Sequence, residues 1–589
     1  MQPFKPDGLK KSIAITTTFI LLTVLSSCSN KTSTTVDASE TISAPPSTGA
    51  LITPPEEITT PRVTFTEPSI GTNHIPVDAN LSAGFSTTVA LNSIDAEQFT
   101  LQHGNNIPTP ASITFDGTIA VLDPFEDLLP STHYQVTLNS GIVGVDGEPL
   151  EAYTWDFYTD GNGWAPDETF ETSHVGSAAS LRLAVDSHGN AIAVWDQLDN
   201  AAHQIYTKRY NANTGTWGAL EIIDATHLGS ATYPEVAVDA NDNAIAVWQQ
   251  HDGTRYNIYA NHYDAETASW GSAQVIEHYN GGSAYYPHIA SDPDGNAFVA
   301  WSHYDGHSYN LFTSRYDAST STWSTHQEID GSNRSVYSDD IQVSADTNGN
   351  AIVVWGQHDG NRINNYAIHY NANTGTWKNR VVIEHFSAGN THEPNISMDA
   401  NGNAIAVWHE HDGTRNNVYS NRYDATTGSW GDAVLLEHDN AGQADYPAIA
   451  TDFDGNAIAI WEQHDGTRYN IYTNRYDAQA ATWSGAELIE TNNAGNAAAP
   501  QITIDAQGNG IAVWHQGDGT HDNIYTNRFD TSADTWGAAE LLETHDLGAA
   551  IYPRIAVDAE GYVHALWDQH TGTNDSVHWA RFDPHVVDP

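Results

Sequence analysis

The stretch YPAIATDFDGNAIAIWEQHDGTRYNIYTNRYDAQAATW, from Tyr446 to Trp483, decides the fold. Inside it Ala457-Ile458-Ala459-Ile460-Trp461 alternates, so the isoleucines point to one face of a strand and the small residues plus the Trp to the other. Four such runs fit the repeat, Ala448–Thr451, Ala457–Glu462, Asn470–Tyr476 and Glu487–Glu490. Asp-Gly and Gly-Asn turns between them supply the positive φ that a tight connection needs. The unit reads as a four-stranded meander.

The same unit recurs along the chain. Its first tryptophan stands at Trp195, Trp248, Trp301, Trp355, Trp408, Trp461, Trp514 and Trp567, spaced by 53 residues except for one step of 54. Trp164, Trp217, Trp270, Trp323, Trp377, Trp430, Trp483 and Trp536 keep the same beat. Repeats of this length with four strands each are the signature of propeller blades, and large Ile/Val faces against small Ala faces suit blade-to-blade packing. The expected fold is therefore all-β, with an eight-bladed propeller over residues 161–585. Trp164 stands where a second Trp belongs and Glu168–Thr172 where an outer strand belongs, whereas Trp567 and Val577–Phe582 have no outer strand after them. A ring in which the N-terminal strand completes the last blade satisfies both leftovers and removes exposed sheet edges. An open β-solenoid is the competing structure.

Of the 589 residues, 21 are Lys or Arg and 74 are Asp or Glu, a formal charge of −53. That balance repels nucleic acid and anionic membrane surfaces and leaves cations or neutral polar ligands as partners. It also suits plain solubility in salty surroundings, and a monomer is expected. Lys5, Lys10 and Lys11 precede the apolar Ser12–Leu25, and Leu25-Ser26-Ser27-Cys28 follows, ending on the one cysteine of the chain. This run resembles the lipobox of bacterial lipoproteins. The resemblance implies a signal peptide over residues 1–27, lipidation of Cys28 and, with Ser29 next, an outer-membrane, cell-surface location. Intrachain disulfides are impossible. Residues 28–60, rich in Ser, Thr and Pro, read as a disordered tether.

Residues 61–160 change character, with short alternating runs such as Val63-Thr64-Phe65 and Tyr134-Gln135-Val136-Thr137-Leu138 between Gly, Pro and Asn turns. The pattern argues for a β-sandwich. Pro68-x-x-Gly71, Gly84-Phe85-Ser86, Leu129-Pro130-Ser131-Thr132-His133-Tyr134, Val145-Asp146-Gly147 and Trp155-Asp156-Phe157-Tyr158-Thr159 resemble the bacterial Ig-like domain of S-layer-type surface proteins. That family implies a spacer or adhesion module without catalysis.

The loops of a meander propeller open on two faces. The loops joining second to third strands, and one blade to the next, share the first face. There the motif His-Asp-Gly-Thr-Arg recurs, giving candidate ligand-binding residues His251, Asp252, Arg255, His411, Asp412, Arg415, His464, Asp465 and Arg468, with His358, Asp359 and Arg362 in a near copy. Glu277-His278, Glu384-His385, Glu437-His438 and Thr544-His545 join them from the inter-blade loops. A rim of His, Asp, Arg and Tyr suits sugar hydroxyls and rings. The structural alternative is that Asp-Gly builds the hairpin while Arg pairs with an acid of the neighbouring blade. On the second face, Asp292, Asp294, Asp452 and Asp454 belong to closely spaced Asp/Asn turns that are weak calcium candidates, although the later carboxylate of an EF-hand is missing. No other cofactor is expected.

No sialidase-type Asp-box, G-x-S-x-G, H-E-x-x-H or P-loop occurs. Like residues repeated around a ring favour binding over catalysis. The functional expectation is a lipid-anchored surface protein that presents its propeller to glycans or protein partners. The alternative is a polysaccharide-active hydrolase or lyase at the propeller mouth, where two carboxyls, or a His and a Tyr, would suffice. Residues that break the repeat discriminate, and on the first face blades 1, 3 and 8 depart most, at Leu198–His203, Tyr304–Ser308 and Thr571–Asp575.

Overall fold

The alternation around Trp461 becomes the second strand of a blade. In blade 6, Ala444–Thr451, Ala457–His464 and Tyr469–Asp477 run antiparallel, and two short strands, Thr482–Trp483 and Glu487–Leu488, both pair with the third. The expected single outer strand is thus split, and the first strand starts four residues earlier than its alternation suggests. The cause of the early start is a bulge: Asp445 still pairs with Glu462 and Ala448 with Ile460, so Tyr446-Pro447 is accommodated as one extra residue inside a continuous strand. The computed structural model describes residues 60–584, save 71, 78, 104–106, 126–127, 129–132, 160–162, 166, 171–175, 200–201, 225–228, 280, 332–333, 385–388, 438–441, 491–493, 544–547, 571 and 573. Cys28, the signal segment, the tether up to Thr59, His385, His438 and Thr544–His545 lie outside the described residues.

Seven blades share this five-piece form and the eighth has four strands. Packing between blades is large against small, as the pattern requires. Ala457, Ala459 and Trp461 of blade 6 meet Ile405, Val407, Val418 and Leu436 of blade 5. On the other face of blade 6, Ile460, Ile471 and Ile489 meet Ala497, Ala512 and Trp514 of blade 7. Every first tryptophan of the repeat is 0% exposed. A buried indole N–H must be satisfied. In six blades it donates to the Gln two residues on, as Trp461 Nε1 does to Gln463 Oε1 at 3.1 Å. In four of these blades that Gln in turn donates to a carboxylate of the preceding blade, as in Gln357 to Asp330 at 2.7 Å, Gln463 to Glu437 at 2.6 Å and Gln516 to Glu490 at 2.9 Å, while Gln197 and Gln569 donate to Gly176 O and Gly548 O. The acids read in the sequence as rim residues are therefore buried spacers between blades, and Glu277 is only 2% exposed.

The ring closes through the N-terminal strand. Glu168 pairs with Trp579 and Thr169 with His578, so Glu168–Thr169 is the outer strand of blade 8. Trp164 bridges Phe582 as Trp536 pairs with Phe529 in blade 7. Asp167 and His578, both buried, meet at 2.9 Å. Blade 8 then packs on blade 1, where Leu566, Val577 and Trp579 share a core with Ala191, Ala193 and Trp195.

Upstream, two sheets form the Ig-like sandwich. One has the order Val63–Glu67, Leu81–Phe85, Ile119–Pro124, Ala111–Phe115; the other has Thr72–Ile75, Tyr153–Thr159, His133–Leu138, Phe99–His103, Ile107–Pro108. Leu81, Leu122, Phe99, Val136, Trp155 and Phe157 lie in its core.

Candidate functional site

The twelve His, Asp and Arg candidates fall on the tips of four hairpins, one each in blades 2, 4, 5 and 6. Their polar atoms are largely spent on those tips. Asp252 Oδ1 accepts from Thr254 N at 2.8 Å, Thr254 Oγ1 at 2.6 Å and Arg255 N at 3.0 Å, while Oδ2 accepts from Asn257. Asp412 and Asp465 make the same Thr and Arg contacts, and Asp359 accepts from Asn361 and Arg362. The Thr hydroxyl and the turn N–H groups hold Asp252, Asp412 and Asp465 well below the usual carboxylate range. His251, His358, His411 and His464 each accept from the turn glycine through Nδ1. Arg255, Arg362 and Arg415 donate from Nε to the Asn two residues on, within their own hairpin.

The second-face candidates behave alike. Asp292 and Asp452 use one oxygen on the backbone N–H of Asn296 and Asn456 and the other on the same Asn side chain. Asp292 and Asp294 line a groove of about 650 Å³ that also holds Arg315 and Lys378, which oppose a cation. In blade 2, Asp242 takes the place of the turn glycine, at φ 66°, and its carboxylate meets His188 Nδ1 at 2.8 Å. With Asp186 these two bring three ligand atoms within 4.8 Å, but Asp186 already accepts three bonds from His188 and Asn190.

A different set of residues lines the mouth of the central channel on the first face, and it is the set that does not repeat. The residue after the first tryptophan is Asp196, Gln249, Ser302, Gly356, His409, Glu462, His515 and Asp568 in blades 1 to 8. The innermost strands carry a second variable column, Arg182, Glu235, His288, Gln342, Asn395, Ala448, Gln501 and Arg554. Each pairs with the residue just before that tryptophan, so all eight share one register.

The bulge joins these columns. Ser180, Tyr233, Tyr286, Glu393, Tyr446, Ala499 and Tyr552 have φ between 50° and 55°, although six of them precede proline, which favours an extended backbone. Such a conformation costs about 1–3 kcal/mol per residue and is held only by its surroundings. The holding bonds come from neighbouring blades. Tyr233 N donates to Asp196 at 3.2 Å, Tyr286 N to Gln249 at 2.9 Å, Tyr446 N to Glu393 at 3.2 Å and Ala499 N to Glu462 at 3.1 Å. Where blade 4 has Gly356, a side chain would collide with Asp340, which instead accepts from Glu393 N.

The result is a ring of tyrosines over polar and charged groups. Tyr446 and Tyr552 are 54% exposed and Tyr233 42%. Tyr233 and Tyr286 meet edge to face at 4.7 Å, and Tyr285, Tyr309, Tyr304 and Tyr256 extend that patch to His251. On the opposite side, Glu393, Tyr446, Glu462, Gln501, Tyr552 and Arg554 line a cavity of about 640 Å³. Burial pushes Glu462 up to about 7 and Asp568 up to about 8. A hydrogen bond from His203 to Asp196, at 2.8 Å, raises the imidazole. Such a surface can stack on a ring, accept from hydroxyls and offer protons near neutral pH.

Residues 57–159 match the bacterial Ig-like domain family. Among curated proteins none matches the sequence. Solved structures similar to this chain include a polysaccharide lyase described as an ulvan lyase, at 9% identity and a TM-score of 0.41, covering 71% of this chain and 94% of that one. The β-propeller domain of the Trilobed protease from Pyrococcus furiosus is similar at 10% identity and a TM-score of 0.37, with 64% and 98% covered. A protein of unknown function from Dyadobacter fermentans gives 11%, 0.35, 72% and 99%. Likenesses of this size carry no information about ligand or activity.

Proposed function

We propose that this protein binds carbohydrate at the tyrosine-rimmed mouth of its propeller channel, as a binding protein of the bacterial cell envelope held by lipid on Cys28. One observation carries the reading: the residues that escape the repeat gather at that mouth, beneath exposed tyrosines whose rings and hydroxyls suit sugars. Residues kept in every blade serve the fold. Those released from it are free to serve a ligand.

The test is a glycan array probed with the full chain in detergent micelles, with and without chelator. Tyr446→Ala combined with Tyr552→Ala is expected to lower binding at least about tenfold, the effect of losing one to two stacking contacts of roughly 1 kcal/mol each. An unchanged array would sink the proposal, and a chelator-sensitive signal would move the site toward the Asp turns of the second face. Capture of a protein with a blank array would favour the protein-partner reading. Replacing Cys28 by Ser is expected to release the protein from membranes into the soluble fraction; a variant that still sediments with membranes would refute the anchor.

A second reading is favoured by Asp568 and Glu462, channel carboxyls held protonated near neutrality and so suited to donate a proton. It makes the protein a polysaccharide-active hydrolase or lyase. New reducing or unsaturated ends in the same incubations would establish it.

A further inference from the structure

We propose that the channel selects a sugar bearing an oxyanion, a carboxylate or a sulfate ester, which it grips through the guanidinium groups of Arg182 and Arg554. The inference rests on the carbohydrate reading above and narrows its ligand class.

The two arginines occupy the same register of the innermost strand in blades 1 and 8, the pair brought side by side by ring closure. Their orientation is fixed by the backbone. Arg182 Nη1 donates to Leu181 O at 2.8 Å and Arg554 Nη1 to Pro553 O at 3.0 Å, as Gln501 does to Pro500 O in blade 7. Beyond this, Arg182 bonds Glu235 through Nε at 2.6 Å. Among the described residues Arg554 makes no other hydrogen bond and no ion pair within 4.0 Å, which leaves most of its five donors unspent.

A guanidinium left unpaired is unexpected in a chain with 74 acids and 21 bases. Its nearby acids are Glu235, which Arg182 already bonds, and Asp568, whose carboxyl burial raises to about 8 against the pull of Arg554 and whose Oδ1 has no hydrogen-bond partner. Burial, and then the like charge of Arg182, depress Arg554 to about 10, so it stays cationic at neutral pH. Two adjacent guanidinium groups with spare donors match the forked geometry of a carboxylate or sulfate. Acids on the outer surface repel such a ligand only weakly, because at about 0.15 M salt charges more than roughly 8 Å away are screened, whereas Glu393 and Glu235, the latter already bonded to Arg182, stand in the mouth itself and oppose it.

The test is calorimetric titration of the full chain in micelles, at pH 7 and 0.15 M salt, with tetragalacturonate, a κ-carrageenan tetrasaccharide and cellotetraose. One of the two anionic probes is expected to bind at least about tenfold more tightly than cellotetraose, and which one it is separates carboxylate from sulfate. Arg554→Gln is expected to remove that advantage, so that the anionic probe binds no more tightly than cellotetraose does to the same variant. Gln already stands in this register at Gln342 and Gln501, so the variant preserves the fold. Anionic binding unchanged in Arg554→Gln but lost in Tyr446→Ala/Tyr552→Ala would overturn the arginine site and leave the mouth reading intact. Equal affinity for anionic and neutral probes would also overturn it. Failure of all three probes to bind would overturn both.

Discussion

Deleting residues 161–172 is expected to open blade 8 and lower the unfolding midpoint more than any single substitution outside the Trp series. The deletion removes Trp164, Asp167 and Phe170, all buried, and strips the outer strand from Asp575–Phe582. Loss of a buried tryptophan alone costs about 3–5 kcal/mol. Losing Asp167 also leaves His578 Nδ1 buried without its partner, worth about 1–3 kcal/mol more. The freed strand edge invites pairing between molecules. Limited proteolysis should therefore cut first within residues 550–584, light scattering should rise, and a peptide of residues 161–172 added in trans should reverse both. A deletion variant with the parent's urea midpoint and cleavage pattern would show that closure contributes nothing.

The architecture was legible because its determinants repeat. Eight tryptophans on one beat mark the blades, and the orphan Trp164 announced how the ring would close. The bulge was not legible. The alternation begins the first strand only at Ala448, yet pairing on both sides and a bond from Tyr446 N to Glu393 hold Tyr446-Pro447 within it. His-Asp-Gly-Thr-Arg stands out because it recurs, and it recurs because Asp252, Asp412 and Asp465 each close a hairpin with their own Thr and Arg N–H groups. The site we propose lies instead in the columns where the repeat fails. Arg182, Ala448, Gln501 and Arg554 each stand 13 residues before their blade's first tryptophan, so their common register was legible, but the bulge that sets this column beside the exposed tyrosines was not. The approach of Glu384 to Glu410 was likewise hidden, since it runs between blades.

Stability is expected to fall as pH rises from about 6.5 to 8.5, the reverse of what salt-bridged carboxylates would give. Burial raises Glu277, Glu384, Glu410 and Glu462 to about 7 and Asp568 to about 8. A carboxyl whose folded pKa exceeds its unfolded value binds more protons in the folded state. Its full stability is present below the unfolded value near 4 and is lost as pH rises through the folded one. Histidines pull the other way only at lower pH. Burial lowers His303 and His369 to about 4, so they cost stability as pH falls below about 6.5 and are neutral in both states above it. In the window from 6.5 to 8.5 the carboxyls, whose summed effect is on the order of a few kcal/mol, act in the same direction as His188 and His203, whose imidazoles Asp242 and Asp196 raise. Glu410→Gln dissects it. In six other blades this position is Gln, which in four of them donates to the preceding blade's acid, whereas Glu410 faces Glu384, whose Oε1 has no hydrogen-bond partner. The substitution supplies the missing donor and removes one of the two like charges. It should raise the urea midpoint at pH 8.5 by an amount equivalent to about 1–2 kcal/mol, and change it far less at pH 5, where both carboxyls are already protonated. A flat urea-midpoint profile between pH 6.5 and 8.5, or an equal gain from Glu410→Gln at both pH values, would show that these carboxyls titrate as ordinary exposed acids.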